Sequence, residues 1–325
     1  MPIDHIRKDH KHVPKFILKQ KDKATDNELR GFAPIGIEVA VTMATAQGLF
    51  KKFITAKTLP HVAIRLTKLI SDENSTIQDF EKMMKMDPTL VLRLLRVVNS
   101  SYYGLRQKVN SISRAVVVIG MNNLRNMIAT EALKDIFKES QKQDAFSRNR
   151  LWLHCAAVSI CSQMISERIF GQNGENAFLC GILHDIGMIV EDQTAHDLFN
   201  QACKAYAQDS GSIIDHEKEI IGTDHCQVGY ILAKDWKLPF EVQQGIKQHH
   251  DVLKEVSASS ITGIIQISEY IVAKLDYAAM PGMKPTLSSP LADHLRENIK
   301  EYKALVEDLP DEMSRASDLY GYQKE

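Results

Sequence analysis

The middle of the chain is a close succession of helix-like segments, each ended by a short break that contains glycine, proline or asparagine. Within residues 90–98, for example, apolar side chains recur every three or four positions, while Arg93 and Arg96 lie off that face. Runs that alternate apolar and polar residues, as half-buried strands do, are scarce between residues 59 and 275. The pattern therefore predicts an all-α fold.

Local signals predict several helix boundaries. Residues 75–78 (STIQ) have the form of a capping box and predict a helix that extends to Met86. Asp87 is a predicted N-cap, followed by Pro88 at the first helical position, where the missing N–H costs nothing. Gly120 is predicted to separate two helices, and a second helical block follows it. The remaining predictions are helices at 35–56, 111–119 and 122–137, a block at 151–275 with turns at 171–174, Gly187 and 238–239, and a charged helical tail after 281–282.

Composition limits the class of partner and the compartment. The net charge of −1 and pI of about 6.9 give no general attraction to nucleic acid or to an anionic membrane. Residues 111–134 superficially suit a helix-turn-helix, but the second segment mixes Arg125 and Lys134 with Glu131, so DNA binding is not predicted. The five cysteines include no CxxC pair, which favours a reducing compartment. With no signal-like start and no membrane-length apolar run, the expectation is a soluble, cytoplasmic protein.

Histidine and carboxylate residues carry the chemistry. His184-Asp185 can direct an imidazole and a carboxylate at one divalent cation if both lie on a helix, and the carboxylate can bridge two cations. His154 lies upstream, and His225 and the pair at 249–250 lie downstream, each in or beside an apolar helical segment. Mn, Fe, Ni and Zn suit such ligands. The competing interpretation is a set of hydrogen-bonded histidines inside a helical bundle. His5, His10 and His12 in the polar arm are interpreted as solvated.

The order of these motifs resembles a known family. His154 followed by His184-Asp185 is similar to the metal set of HD metal-dependent phosphohydrolases, and the later histidines resemble the longer set of the HD-GYP branch. The upstream block resembles the HDOD (HD-related output domain) family of bacterial signal-transduction proteins. The matching strings are LP at 59–60, DP at 87–88, LRLLRVVNS at 92–100, YYG at 102–104, AVVVIG at 115–120, WLH at 152–154, WKLP at 236–239 and HH at 249–250.

The resemblance implies a fold, a domain plan and a ligand set. The fold would be a two-subdomain helical bundle of HDOD type with an HD-like C-terminal half. Predicted boundaries are an N-terminal arm and helix at 1–55, the HDOD domain at 56–280 divided into 56–142 and 143–280, and a helical tail at 281–325. The implied metal ligands are His154, His184, Asp185, His225, His249, His250 and Glu269.

Several departures from the enzymes of this superfamily leave catalysis open. Glu269 stands where the resemblance implies an aspartate, Met188 where HD-GYP enzymes have lysine, and Arg150 where some relatives have glutamate. The GYP signature is missing after the histidine pair. HDOD proteins are in general regarded as non-catalytic descendants of HD enzymes, so the leading interpretation is a signal-transduction output or regulatory module with a retained divalent-metal site.

The second hypothesis is a metal-dependent phosphohydrolase (phosphodiesterase) that acts on a nucleotide or cyclic dinucleotide. The expected partner is another signalling protein in the first case and a nucleotide or cyclic dinucleotide in the second. Neither DNA nor a membrane is an expected partner. An enzyme would need an open coordination position that faces a phosphate-accepting pocket, whereas a structural metal site is closed.

Overall fold

The computed structural model describes residues 44–55, 76, 78–79, 88–100, 103–137, 145–208, 211–252 and 255–316, and these ranges contain helices and no strand. The all-α prediction is therefore confirmed. In chain order the helices are α1 Ala46–Thr55, α2 Pro88–Val98, α3 Ile112–Ile119, α4 Met121–Lys134, α5 Arg148–Met164, α6 Glu175–Leu183, α7 Ile186–Thr194, α8 His196–Gln208, α9 Ile213–Ile220, α10 His225–Asp235, α11 Phe240–Gln248, α12 Ile261–Lys274, α13 Ser289–Glu297 and α14 Ile299–Arg315. A 3-10 turn, Asp135–Phe137, follows α4, and a π-helical turn, Ile165–Ile169, extends α5.

Side-chain caps begin the two helices that matter most for the site. The Ser147 hydroxyl accepts a hydrogen bond from the Arg150 N–H at the start of α5. The Asp224 carboxylate accepts one from the Gln227 N–H at the start of α10. Each cap satisfies a backbone donor that would otherwise lack a partner in the first turn. Both helices therefore begin at positions that the local sequence specifies.

Two predicted boundaries in the first half are confirmed. Helix α2 begins at Pro88, and α3 and α4 lie on either side of Gly120. Gly120 has φ of 82°, which a residue with a side chain rarely adopts. Three predictions lie wholly or largely outside the described residues. They concern the capping box at 75–78 with its helix, the arm with its histidines, and residues 35–43.

The prediction of a turn at Gly187 is wrong. The chain turns at His184 and Asp185, which lie between the last residue of α6 and the first of α7. Gly187 is the second residue of α7. It is glycine because the backbone of His225 lies against it, where a Cβ would come within 2.0 Å of the His225 carbonyl oxygen.

The described helices belong to one compact unit. Helix α5 is buried along most of its length and packs against α6, α12 and α14. Helix α10 packs against α1, α7 and α11. Helix α4 contacts α2, α3 and α6, so it joins the first helices to the later ones. The predicted boundaries at 142 and 280 stay predictions.

Two expectations from composition concern the cysteines and the membrane. All five cysteines are free and buried. Within the described ranges, no helix combines the length and the apolarity that crossing a membrane requires.

Asn99 fastens the segment that follows α2. Its side-chain amide donates to the Val109 carbonyl at 2.8 Å, and its side-chain oxygen accepts from the Val109 N–H at 2.7 Å. We expect Asn99→Ala to lower the free energy of unfolding by about 2 kcal/mol, because these two bonds and a third one, to the Leu95 carbonyl, are lost beside a buried side chain. Urea denaturation measures this loss. The control is Asn123→Ala, which removes a bond to Ile119 one turn earlier; equal losses in the two variants would contradict the prediction.

Candidate metal centre

All seven predicted ligand residues lie in one cluster, although they come from different parts of the chain. Helix α5 supplies one histidine, the α6–α7 junction a histidine and an aspartate, the start of α10 one histidine, the end of α11 a histidine pair, and α12 a glutamate. These residues are His154, His184, Asp185, His225, His249, His250 and Glu269. They form two groups of four that share Asp185, and the ligand atoms of each group lie within 4.8 Å of one another.

The first group, here called the His154 group, comprises His154, His184, Asp185 and Glu269. The Nε2 atoms of the two histidines are 3.1 Å apart. Glu269 Oε1 lies 2.7 Å from His184 Nε2 and 3.2 Å from His154 Nε2. Glutamate therefore reaches the place for which the resemblance implies aspartate, despite its extra methylene.

The second group, the His225 group, comprises Asp185, His225, His249 and His250. The Nε2 atoms of His225 and His249 each lie 3.3 Å from Asp185 Oδ1. The His250 ring centroid is 4.3 Å from that of His249 and 5.2 Å from that of His225. The buried Nε2 of His250 has no hydrogen-bond partner among the described residues.

The two carboxylate oxygens of Asp185 face different groups. Oδ2 lies 3.2 Å from His184 Nε2 and 3.5 Å from His154 Nε2, whereas Oδ1 faces His225 and His249. The side chain is fully buried, and within the described part of the chain neither oxygen has a hydrogen-bond partner. A buried carboxylate in this state requires a compensating cation, whether a proton on a neighbouring imidazole or a metal ion.

Four of the histidines are oriented in the same way. The Nδ1 atoms of His154, His184 and His249 lie 2.7–2.8 Å from backbone carbonyl oxygens, and that of His225 lies 2.7 Å from a carboxylate oxygen of Glu217. A carbonyl oxygen can only accept, so in the three carbonyl-bonded rings Nδ1 carries the proton. The neutral form of each ring then presents a lone pair on Nε2 to the centre of the cluster, which is the state that a metal ligand needs.

The charged groups of the cluster strongly shift one another's pKa values. Burial lowers the pKa of His184, but the Asp185 and Glu269 carboxylates outweigh burial and raise it to about 9. Burial raises the pKa of Asp185, but His184 and the other imidazoles hold it well below its usual range. Burial also raises the pKa of Glu269, but hydrogen bonds from His154 and His184 hold this pKa well below its usual range. The imidazole of His184 and the two carboxylates therefore stabilise one another's charged forms.

Sequence reasoning missed two buried glutamates behind His225. Glu217 on α9 is fully buried and contacts the His225 ring, and Glu191 on α7 lies beside it. Burial and then the neighbouring Glu217 charge raise the pKa of Glu191 well above its usual range. A signal for Glu217 was present in the sequence: it lies four residues from both Ile213 and Ile221, which are buried, so a charge occupies an apolar stripe.

Three neighbouring residues complete the surroundings. Cys226 Sγ is 3.8 Å from the His249 ring nitrogens, so it contacts His249. Met188 is buried in α7. Arg150 donates from Nε to the Ala278 carbonyl, and its guanidinium lies 3.5 Å from the exposed Asp276. Met188 and Arg150, which depart from the enzymes of the superfamily, thus add no ligand oxygen to the cluster.

The chain is similar to proteins of one known family over most of its length. The model of the HDOD domain family matches residues 56–252. A Shewanella amazonensis SB2B protein named "Putative phosphohydrolase" is 26% identical, with a TM-score of 0.63, over 83% of this chain and 97% of that chain. An HDOD domain protein of unknown function from Geobacter sulfurreducens is 24% identical, with a TM-score of 0.60, over 80% of this chain and 97% of that chain.

Curated relatives are more distant and longer. An uncharacterized protein of Treponema pallidum (strain Nichols) is 23% identical over 227 residues, which are 69% of this chain and 43% of the relative. The chain spans less than half the length of the curated relatives it matches. Since the family model covers more than half of the chain, the chain belongs to the HDOD domain family.

Proposed function

We propose that this protein is a signal-transduction regulatory module of HDOD type that holds two divalent metal ions, one in the His154 group and one in the His225 group. The observation that carries the proposal is the Asp185 carboxylate, whose two oxygens face the two groups and lack other partners among the described residues. A carboxylate in that position is suited to bridge two ions. Imidazole and carboxylate ligands favour Fe, Mn, Ni or Zn.

A metal pair here would join distant parts of the fold. The ligands belong to α5, the α6–α7 junction, α10, the end of α11, and α12, which are separated by up to 115 residues. Six of the seven side chains are at most 2% exposed. Such burial supports a stabilising role, because metal binding to a buried ligand set contributes directly to the free energy of folding. Metal loading would then set the helix packing that another signalling protein recognises.

The second candidate function is phosphodiester hydrolysis of a nucleotide or cyclic dinucleotide. Two ligand groups that share one carboxylate are also the arrangement of two-metal hydrolases, and the 26% identical relative carries a phosphohydrolase name. Bound metal ions would supply Lewis-acid chemistry for the reaction. The departures at Met188 and Arg150 favour the regulatory role. Methionine has no charge with which to hold a phosphate, and arginine cannot replace a glutamate as a metal ligand.

The test is the metal content of untagged protein purified without chelator, measured by elemental mass spectrometry. We expect two equivalents of Fe, Mn, Ni or Zn in the native protein and none in the His184→Ala/Asp185→Ala variant. If the native protein holds no more metal than the variant after reconstitution, the proposal is wrong. Turnover of cyclic dinucleotides by the loaded protein, lost in the variant, would favour the second candidate over the first.

A further inference from the structure

We propose that Glu217 is a positioning residue of the His225 group, in which its carboxylate sets the tautomer and the ring orientation of His225 so that Nε2 faces Asp185. The inference rests on the proposed function in one respect, that His225 is a metal ligand. The orientation itself is a property of the protein chain and can be measured without metal.

The Glu217 carboxylate contacts both the ring and the backbone of His225. Its Oε2 lies 2.7 Å from His225 Nδ1, and its Oε1 lies 3.0 Å from the same atom. Oε2 also accepts the backbone N–H of His225 at 3.1 Å. Because one carboxylate contacts both the ring and the backbone of His225, the ring plane is set relative to the start of α10. The opposite nitrogen, Nε2, is thereby directed to Asp185 Oδ1 at 3.3 Å.

His225 differs from the other oriented histidines of the cluster. His154, His184 and His249 use backbone carbonyl oxygens to hold Nδ1, and a carbonyl is available wherever the backbone passes. The corresponding partner of His225 is a fully buried carboxylate from α9. An ionised carboxylate is costly to bury without partners, and in this position it increases the basicity of the imidazole that it contacts. A partner of this kind affects metal affinity as well as local packing.

Glu191 provides a matched comparison. It is buried as deeply as Glu217 and lies against it, but its oxygens form no hydrogen bond to His225. Glutamine at either position keeps nearly the same volume. Glu191→Gln leaves the contacts of Glu217 with His225 in place. In Glu217→Gln the uncharged amide oxygen accepts more weakly than a carboxylate oxygen, and the NH₂ group cannot accept from His225. The two substitutions should therefore have different effects on His225.

The first measurement is long-range ¹H–¹⁵N NMR of the histidine rings in metal-free, full-length protein. We expect a deshielded, slowly exchanging Nδ1 proton on His225 in the native protein and in Glu191→Gln. We expect this signal to disappear in Glu217→Ala and to weaken in Glu217→Gln. An unchanged Nδ1 signal in Glu217→Gln would overturn the proposal, and that near-isosteric variant keeps the test valid if Glu217→Ala does not fold.

The second measurement is a zinc titration of the same proteins. Loss of an outer carboxylate partner weakens metal affinity by about 10- to 100-fold. We expect Glu217→Gln to show this loss for one of two zinc ions, and Glu191→Gln to bind both as the native protein does. A third zinc ion that both variants lose would instead show an ion held between Glu191, Glu217 and His225, and would also overturn the proposal. If the native protein binds no zinc, the proposed function fails while the NMR result still decides the role of Glu217.

Discussion

Asp185→Asn is expected to weaken metal binding in both groups. An asparagine offers one uncharged oxygen, so one group keeps a weaker ligand, while the NH₂ faces the Nε2 atoms of the other group. Since loss of an outer partner alone weakens metal affinity by about 10- to 100-fold, we expect the loss of a shared ligand to weaken zinc affinity by at least about 100-fold at both sites. Competition titration with a chromophoric chelator measures both affinities.

Two other variants show whether the effect belongs to the shared ligand. His154→Ala removes a ligand of the His154 group alone and should leave the other ion bound. Asp192→Asn makes the same chemical change at a buried carboxylate within α7, the helix that follows Asp185, where the partners are Arg148 and His196. It should retain both ions. If Asp185→Asn keeps two equivalents with near-native affinity, Asp185 does not bridge the two groups.

Gly187→Ala is expected to cause the largest loss of stability. The added Cβ would lie 2.0 Å from the His225 carbonyl oxygen and 2.8 Å from its Cα. Backbone atoms cannot rotate away, so α7 and α10 must separate. We expect the free energy of unfolding to fall by about 3 kcal/mol. For a chain of 325 residues that corresponds to a decrease in melting temperature of about 4 °C, measurable by calorimetry.

The control for Gly187 is Gly229→Ala in the facing helix, α10. A Cβ at Gly229 would meet the Ile246 side-chain methyl at 3.0 Å, and that side chain can adjust. The higher helix propensity of alanine offsets about 1 kcal/mol of any strain. We therefore expect little change at Gly229. Similar losses in the two variants would mean that the contact of Gly187 with the His225 backbone is not what requires glycine.

Local sequence determined the helices and the kinds of ligand. The proline at the start of α2, the glycine between α3 and α4, and the serine and aspartate caps act within a few residues, so their effects can be read in order along the chain. The choice of His154, His184-Asp185 and the later histidines depended on residue type, spacing and family resemblance. The structure brings all of them into one cluster, and their binding of metal stays a prediction.

Other features could not be predicted because they depend on how separate helices pack. Glycine in a helical sequence predicts a turn, yet Gly187 lies within α7, where the close approach of α10 requires a residue without a side chain. Glu217 places a charge on an apolar stripe of its helix, but its role depends on the contact with His225, which lies in another helix.

By itself, then, the sequence determined an all-α chain of the HDOD family and a set of histidines and carboxylates able to bind metal. Only the tertiary structure decided that Asp185 lies between two groups, that Glu269 reaches the first, and that Glu217 holds His225. The physical reason is range: capping and helical periodicity act over a few residues, whereas the convergence of side chains from five parts of the chain depends on the packing of whole helices.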